Sequence, residues 1–144
     1  MQVRIASEER NWAMAAHLSA LVAIAGLPFG HVLGPLVVYL IKGHDSEFVS
    51  AHAKASLNYQ ITISILGVIA MIAAIGGWFW FFFNVADRTL PRDTSGFPFL
   101  VSWMVILIAV LLVLLMSVVF IIMGTIAASE GRTYQYPFAI TFLR

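Results

Sequence analysis

The chain has 144 residues, 61% of them hydrophobic and 10% charged, with a mean hydropathy of +0.94 and a formal net charge of +1. Soluble domains run at roughly 45–50% apolar and about 25% charged, so this chain carries more apolar surface than a core of its own can hide, and the bilayer is part of its solvent. The near-neutral charge leaves no nucleic-acid footprint, and the lack of cysteine excludes disulfides, thiol catalysis, iron–sulfur ligation by Cys and CxxCH haem attachment.

Met1 to Arg10 mixes Glu8 and Glu9 with Arg4 and Arg10. It lacks the basic start and small-residue cleavage site of a signal peptide, so the first apolar segment is expected to remain in the mature protein. That segment, about 12–27, is predicted to be a helix capped by Asn11, with Trp12 at the membrane interface and His17 and Ser19 as its polar groups. Gly26, Pro28 and Gly30 break it. A short apolar piece follows at 31–41, with Gly34-Pro35 inside it. It is well short of the ~20 residues a span needs, so it either completes one kinked span or forms a re-entrant hairpin. Charge separates these. In a hairpin, Arg4, Arg10, Lys42, Lys54, Arg132 and Arg144 lie with the termini and the 42–54 loop, and Arg88 and Arg92 lie opposite. The hairpin, with both termini cytoplasmic, fits the positive-inside rule better.

Asp45 or Ser46 can cap the next helix, which has Glu47 in its first turn. Its start is polar on two rows at four-residue spacing: His52, Ser56, Gln60 and Ser64, then Lys54, Asn58 and Thr62. Polar groups entering a membrane segment are costly unless satisfied, so this start is expected in the cytoplasmic interface, packed on other segments or open to water, with the span itself within 55–80. Trp78 to Phe83 reads as an interfacial aromatic belt. Asn84 to Gly96 is a polar loop, and 97–128 is a second long span with a small-residue patch at Gly124, Ala127 and Ala128. Gly131 suits the position after a helix end. In the tail, 132–144, Tyr134, Tyr136, Phe138, Ile140 and Phe142 recur at period two, an extended amphipathic pattern.

These pieces make one membrane domain over 1–144, an all-α integral membrane bundle with a broken N-terminal helical hairpin and two long transmembrane helices. Candidate residues divide into an interhelical polar or interaction cluster, His17, His52, Lys54, Asn58, Tyr59 and Gln60, and a tail-docking set, Tyr134, Tyr136 and Phe138. His17 could relay protons or ligate metal or haem. Its plainer role is a hydrogen bond to a neighbouring helix, for example to Asn58 or Gln60. His52 and Lys54 could meet anionic lipid head groups or an acidic partner; the plainer role is an interfacial helix start with a snorkelling lysine. His31 and His44 read as solvated or capping residues. A haem between His17 and His52 lacks the patterning of most intramembrane haem sites. There is no HExxH, GxSxG, P-loop or intramembrane carboxylate pair, so no catalytic residue, metal or cofactor is expected.

An AHLSAL-type first helix, a GPL-containing short segment, the HAK..LN.Q start of the third and a closing G..Y.YP....F resemble a family of small bacterial membrane proteins of unknown function. That family is in turn similar to the chloroplast inner-envelope import-translocon subunit Tic twenty. The bacterial resemblance implies three to four helical segments in the cytoplasmic (inner) membrane; the plastid one implies a possible part in protein conduction. The residues themselves point to a non-enzymatic accessory or scaffold protein that binds a larger membrane complex or its own copies. The alternatives are an oligomeric pore lined by Asn58, Gln60 and Ser64, and a haem-binding electron carrier.

Overall fold

The computed structural model describes residues 5–26, 29–83 and 96–144, and their side chains except at 23–25 and 96–99. The expected break at Pro28 and the polar loop with Arg88 and Arg92 lie outside the described residues. Those described are helical or irregular, in the order α1 (Ser7–Leu18), a 3-10 helix (Ser19–Ala25), α2 (Gly30–Lys42), α3 (Glu47–Phe81) and α4 (Gly96–Ser129). The all-α expectation therefore holds, and α3 and α4 are long and apolar enough to cross a membrane.

The chain divides into two compact units, Met1–Ser64 with Ser117–Arg144, and Ile65–Met116. In the first, α1 begins at Ser7, not at Asn11. Ala6 stands at the N-cap and has no side-chain acceptor to offer. Glu9 instead reaches back to the Ala6 amide at 3.0 Å, half of a capping box. Asn11 therefore falls inside the helix. The helix stops at Leu18 and tightens into the 3-10 segment, which ends at Gly26 with φ 87°. Phe29, also left-handed at φ 59°, precedes α2.

Gly34 sets the hairpin's closeness: a Cβ there would stand 2.4 Å from the Ser19 carbonyl oxygen. Pro35 is buried inside α2, where its ring removes one helical hydrogen bond; the packing of α2 against the 3-10 segment holds the helix through it. α2 then returns to where α1 began. Lys42 lies 3.6 Å from Glu8, and the Ser46 hydroxyl donates to Glu9 at 2.6 Å. Ala16, Val38, Val49 and Ala53 form the core between these helices, with Trp12, Ala15 and Tyr39 packed around it. Two of its four members are alanines and two are valines, small enough to allow close helix contact.

Ser46 caps α3 by accepting the Val49 amide at 3.3 Å. α4 ends in a Schellman motif: the Gly131 amide donates to Ala128, the Arg132 amide donates to Ala127, and Gly131 takes φ 72°. Arg10 donates to the Ser129 carbonyl at 3.4 Å, a cation against the negative end of that helix.

The second unit holds the remaining parts of α3 and α4. Its large apolar side chains face outward, Ile72, Trp80, Leu100 and Leu115 among them. Trp78 lies beside Phe81 and Phe82, and Phe79 stacks on Phe83, in keeping with an interfacial belt.

Candidate functional site

The first polar row of α3 meets α1 and the tail in a buried chain of hydrogen bonds. His17 and His52 are both fully buried, and Tyr136 is 5% exposed. The Tyr136 hydroxyl lies 2.8 Å from His17 Nδ1, His17 Nε2 lies 2.7 Å from His52 Nδ1, and His52 Nε2 lies 3.1 Å from the Arg132 carbonyl. A carbonyl only accepts, so His52 Nε2 carries a hydrogen. With both rings neutral, every other proton follows: His17 Nε2–H donates to His52 and the Tyr136 hydroxyl donates to His17. The chain runs one way and stops on backbone. Burial pushes the Tyr136 phenol up and so keeps it a donor. The Ser56 hydroxyl is buried without a partner of hydrogen-bond geometry.

Gly124 makes room for this. A Cβ at 124 would lie 2.9 Å from the His17 ring, so α4 must be bare where the imidazole passes. Tyr59 stacks on Tyr136 with ring centroids 4.5 Å apart, and its hydroxyl pairs with Ser117 of α4 at 2.9 Å. Tyr134 sits edge-on to Tyr136 at 5.0 Å.

The second row seats the tail. The Asn58 amide group donates to the Leu143 carbonyl, and its oxygen accepts the amides of Phe142 and Leu143, all within 3.0 Å. Thr62 accepts the Ile140 amide at 2.9 Å and donates to Asn58's own carbonyl. Lys54 donates to the Arg144 carbonyl at 2.9 Å and lies over the Tyr39 ring.

The expected cluster is thus brought together, with different partners. His17 bonds to His52 and Tyr136 rather than to Asn58 or Gln60, because those two face the tail or the interior from farther along α3. Gln60 is buried. Phe138 does not dock: it is 88% exposed at a left-handed turn, φ 63°, because the tail turns there and sends its side chain outward. His31 is not free either; its Nε2 pairs with Ser64 at 2.9 Å. His44 is exposed. The direct contact of the two imidazoles leaves no ligand position between them, since nitrogens on opposite sides of a metal, each roughly 2 Å from it, stand about 4 Å apart.

Ser117, Gly124's particular task and the Arg132 carbonyl were not among the expected site features. Ser117 had a signal: it is a lone hydroxyl within a long apolar run. The carbonyl had none.

Comparison with curated proteins and with solved structures gave no match, and nothing found supports the likeness to Tic twenty. The coarser expectation of a small bacterial membrane-protein family is supported, for residues 8–143 match the MamF/MmsF family, and the chain belongs to this magnetosome magnetite crystal formation protein family.

Proposed function

We propose that this protein is a non-enzymatic accessory or scaffold subunit of the membrane in which the family's crystals form, and that it holds a larger membrane complex through the charged rim of its first unit. The observation that carries this is where the polar groups go. Most of both rows of α3 is spent on the protein's own chain: His52 on His17 and Arg132, Ser64 on His31, and Lys54, Asn58 and Thr62 on the tail. What remains outward at the ends of α1, α2 and α4 is a rim of Glu8, Lys42, Asp45, Glu130 and Arg132. Exposed ion pairs of this kind contribute little to stability, about 0–1 kcal/mol each, which leaves them available for recognition. Arg10, Lys42, Lys54, Arg132 and Arg144 all belong to this unit, and the positive-inside rule favours the cytoplasmic side for its charged rim.

Tagged protein purified from native membranes in mild detergent is expected to bring down the same membrane partner reproducibly. Charge reversal at Glu8→Lys and Asp45→Lys should lose it without lowering the unfolding temperature. Repeated recovery of the protein alone would sink the reading. The pore suggested by the Tic twenty resemblance would require Asn58 and Ser64 to give up the bonds they make within the chain.

A further inference from the structure

Past Gly131 the tail runs back along α3. The Arg132 carbonyl meets His52, Tyr136 stacks on Tyr59, the Ile140 amide meets Thr62, and then the direction reverses: Phe142 and Leu143 meet Asn58, and Arg144 meets Lys54. Measured against α3, the tail descends from the level of residue 52 to that of 62 and climbs back to 54. At 1.5 Å per residue, Thr62 lies about 12 Å beyond Lys54 along the helix. Lys54 is the last charged residue before the apolar run of α3, so the bottom of this excursion lies on the hydrocarbon side.

Backbone at that depth has no water to bond and must be satisfied within the protein. Four of its amides are: Ile140 meets Thr62, Phe142 and Leu143 meet the Asn58 oxygen, and Ala139 meets the Tyr136 carbonyl, while the Asn58 amide group meets the Leu143 carbonyl. The large outward side chains are apolar, with Phe138 at 88%, Ile140 at 54% and Phe142 at 45% exposure, and Thr141 is the exposed polar side chain among them. The turn itself, Tyr136 to Ala139, has Pro137 in its second place and a left-handed residue in its third, the type II geometry that ordinarily takes glycine. A phenylalanine held there, fully outward, is hard to reconcile with water as its surroundings.

We propose that residues 136–144 form a re-entrant hairpin whose Phe138–Phe142 edge packs against lipid acyl chains, and that Asn58 and Thr62 exist to satisfy its backbone at that depth. This stands apart from the scaffold reading, which concerns the charged rim.

The chain has no cysteine, so one nitroxide can be placed by Phe138→Cys, a second by Phe142→Cys, and a reference by Gln135→Cys, in the full chain reconstituted in phosphatidylcholine vesicles. At 138 and 142, collision with oxygen should exceed collision with a water-soluble nickel chelate several-fold, and the ratio should invert at 135. Adding Asn58→Leu should bring 138 toward the ratio at 135. Chelate access at 138 and 142 equal to that at 135 would overturn the proposal. So would shielding from both reagents, which means a covering protein, or spin–spin broadening, which means a second copy.

Discussion

The two units spend their glycines in opposite ways. In the first, a Cβ on Gly34 would strike the Ser19 backbone and one on Gly124 would strike the His17 ring; in the second, Gly67, Gly76 and Gly77 have nothing within 4 Å of where a Cβ would go. The same contrast holds for polar groups. The first unit buries His17, His52, Ser56, Asn58, Gln60, Thr62 and Ser117, while the described part of the second buries none and turns its large apolar side chains outward. Specific structure is therefore concentrated in the first unit. The second is shaped for a solvent of lipid, in which apolar side chains need no protein partner.

This contrast can be broken by substitution. Gly34→Ala should be the most damaging small change, because the obstruction at 2.4 Å is backbone and cannot rotate aside; a loss of roughly 3 kcal/mol or more, read as thermal unfolding in detergent, matches severe overpacking. His17→Ala should cost a similar amount, about 3–5 kcal/mol, since it opens a cavity and strands His52 and Tyr136. Gly124→Ala should follow at roughly 1–3 kcal/mol, because the ring it displaces is tied at both nitrogens. Asn58→Ala removes three bonds to the tail and should cost about 1–3 kcal/mol, with the tail becoming the first site cut by protease. In the second unit, Gly67→Ala should go the other way, gaining up to roughly 1 kcal/mol of helix propensity. A loss at Gly67 as large as that at Gly124 would mean that the second unit also has specific packing.

Most of the architecture was legible in the sequence because apolar runs, glycine and proline breaks and charge placement report on helices and their ends. Ser46 as a cap, Gly131 beyond a helix end and the two polar rows of α3 all follow from local chemistry. What the rows do was not legible. Four-residue spacing says that Lys54, Asn58 and Thr62 share a face, but not that their partner is the backbone of residues 140–144, for backbone carries no mark in a sequence. His17 and His52 could be named as a buried pair, yet their contact depends on Gly124, which lies far away in the chain and is bare for reasons no local pattern shows. The start of α1 was misplaced because a single carboxylate, Glu9, replaces the expected cap.

Glu9 also gives the gentlest test. The Ser46 hydroxyl, and after it the Ala6 amide, hold its carboxyl below the ordinary 4.5. A carboxylate whose folded value is depressed adds stability that is present above the unfolded value and is lost as pH falls through the folded one. The gain of the native chain over Glu9→Gln should thus be level between pH 6 and 8 and shrink on acidification below about pH 4.5. Glu9 is only half-buried, so the gap should also narrow with salt. The described residues of the second unit contain no ionisable side chain, so they can contribute nothing to this slope. An acid limb that survives unchanged in Glu9→Gln would show that Glu9 does not carry it.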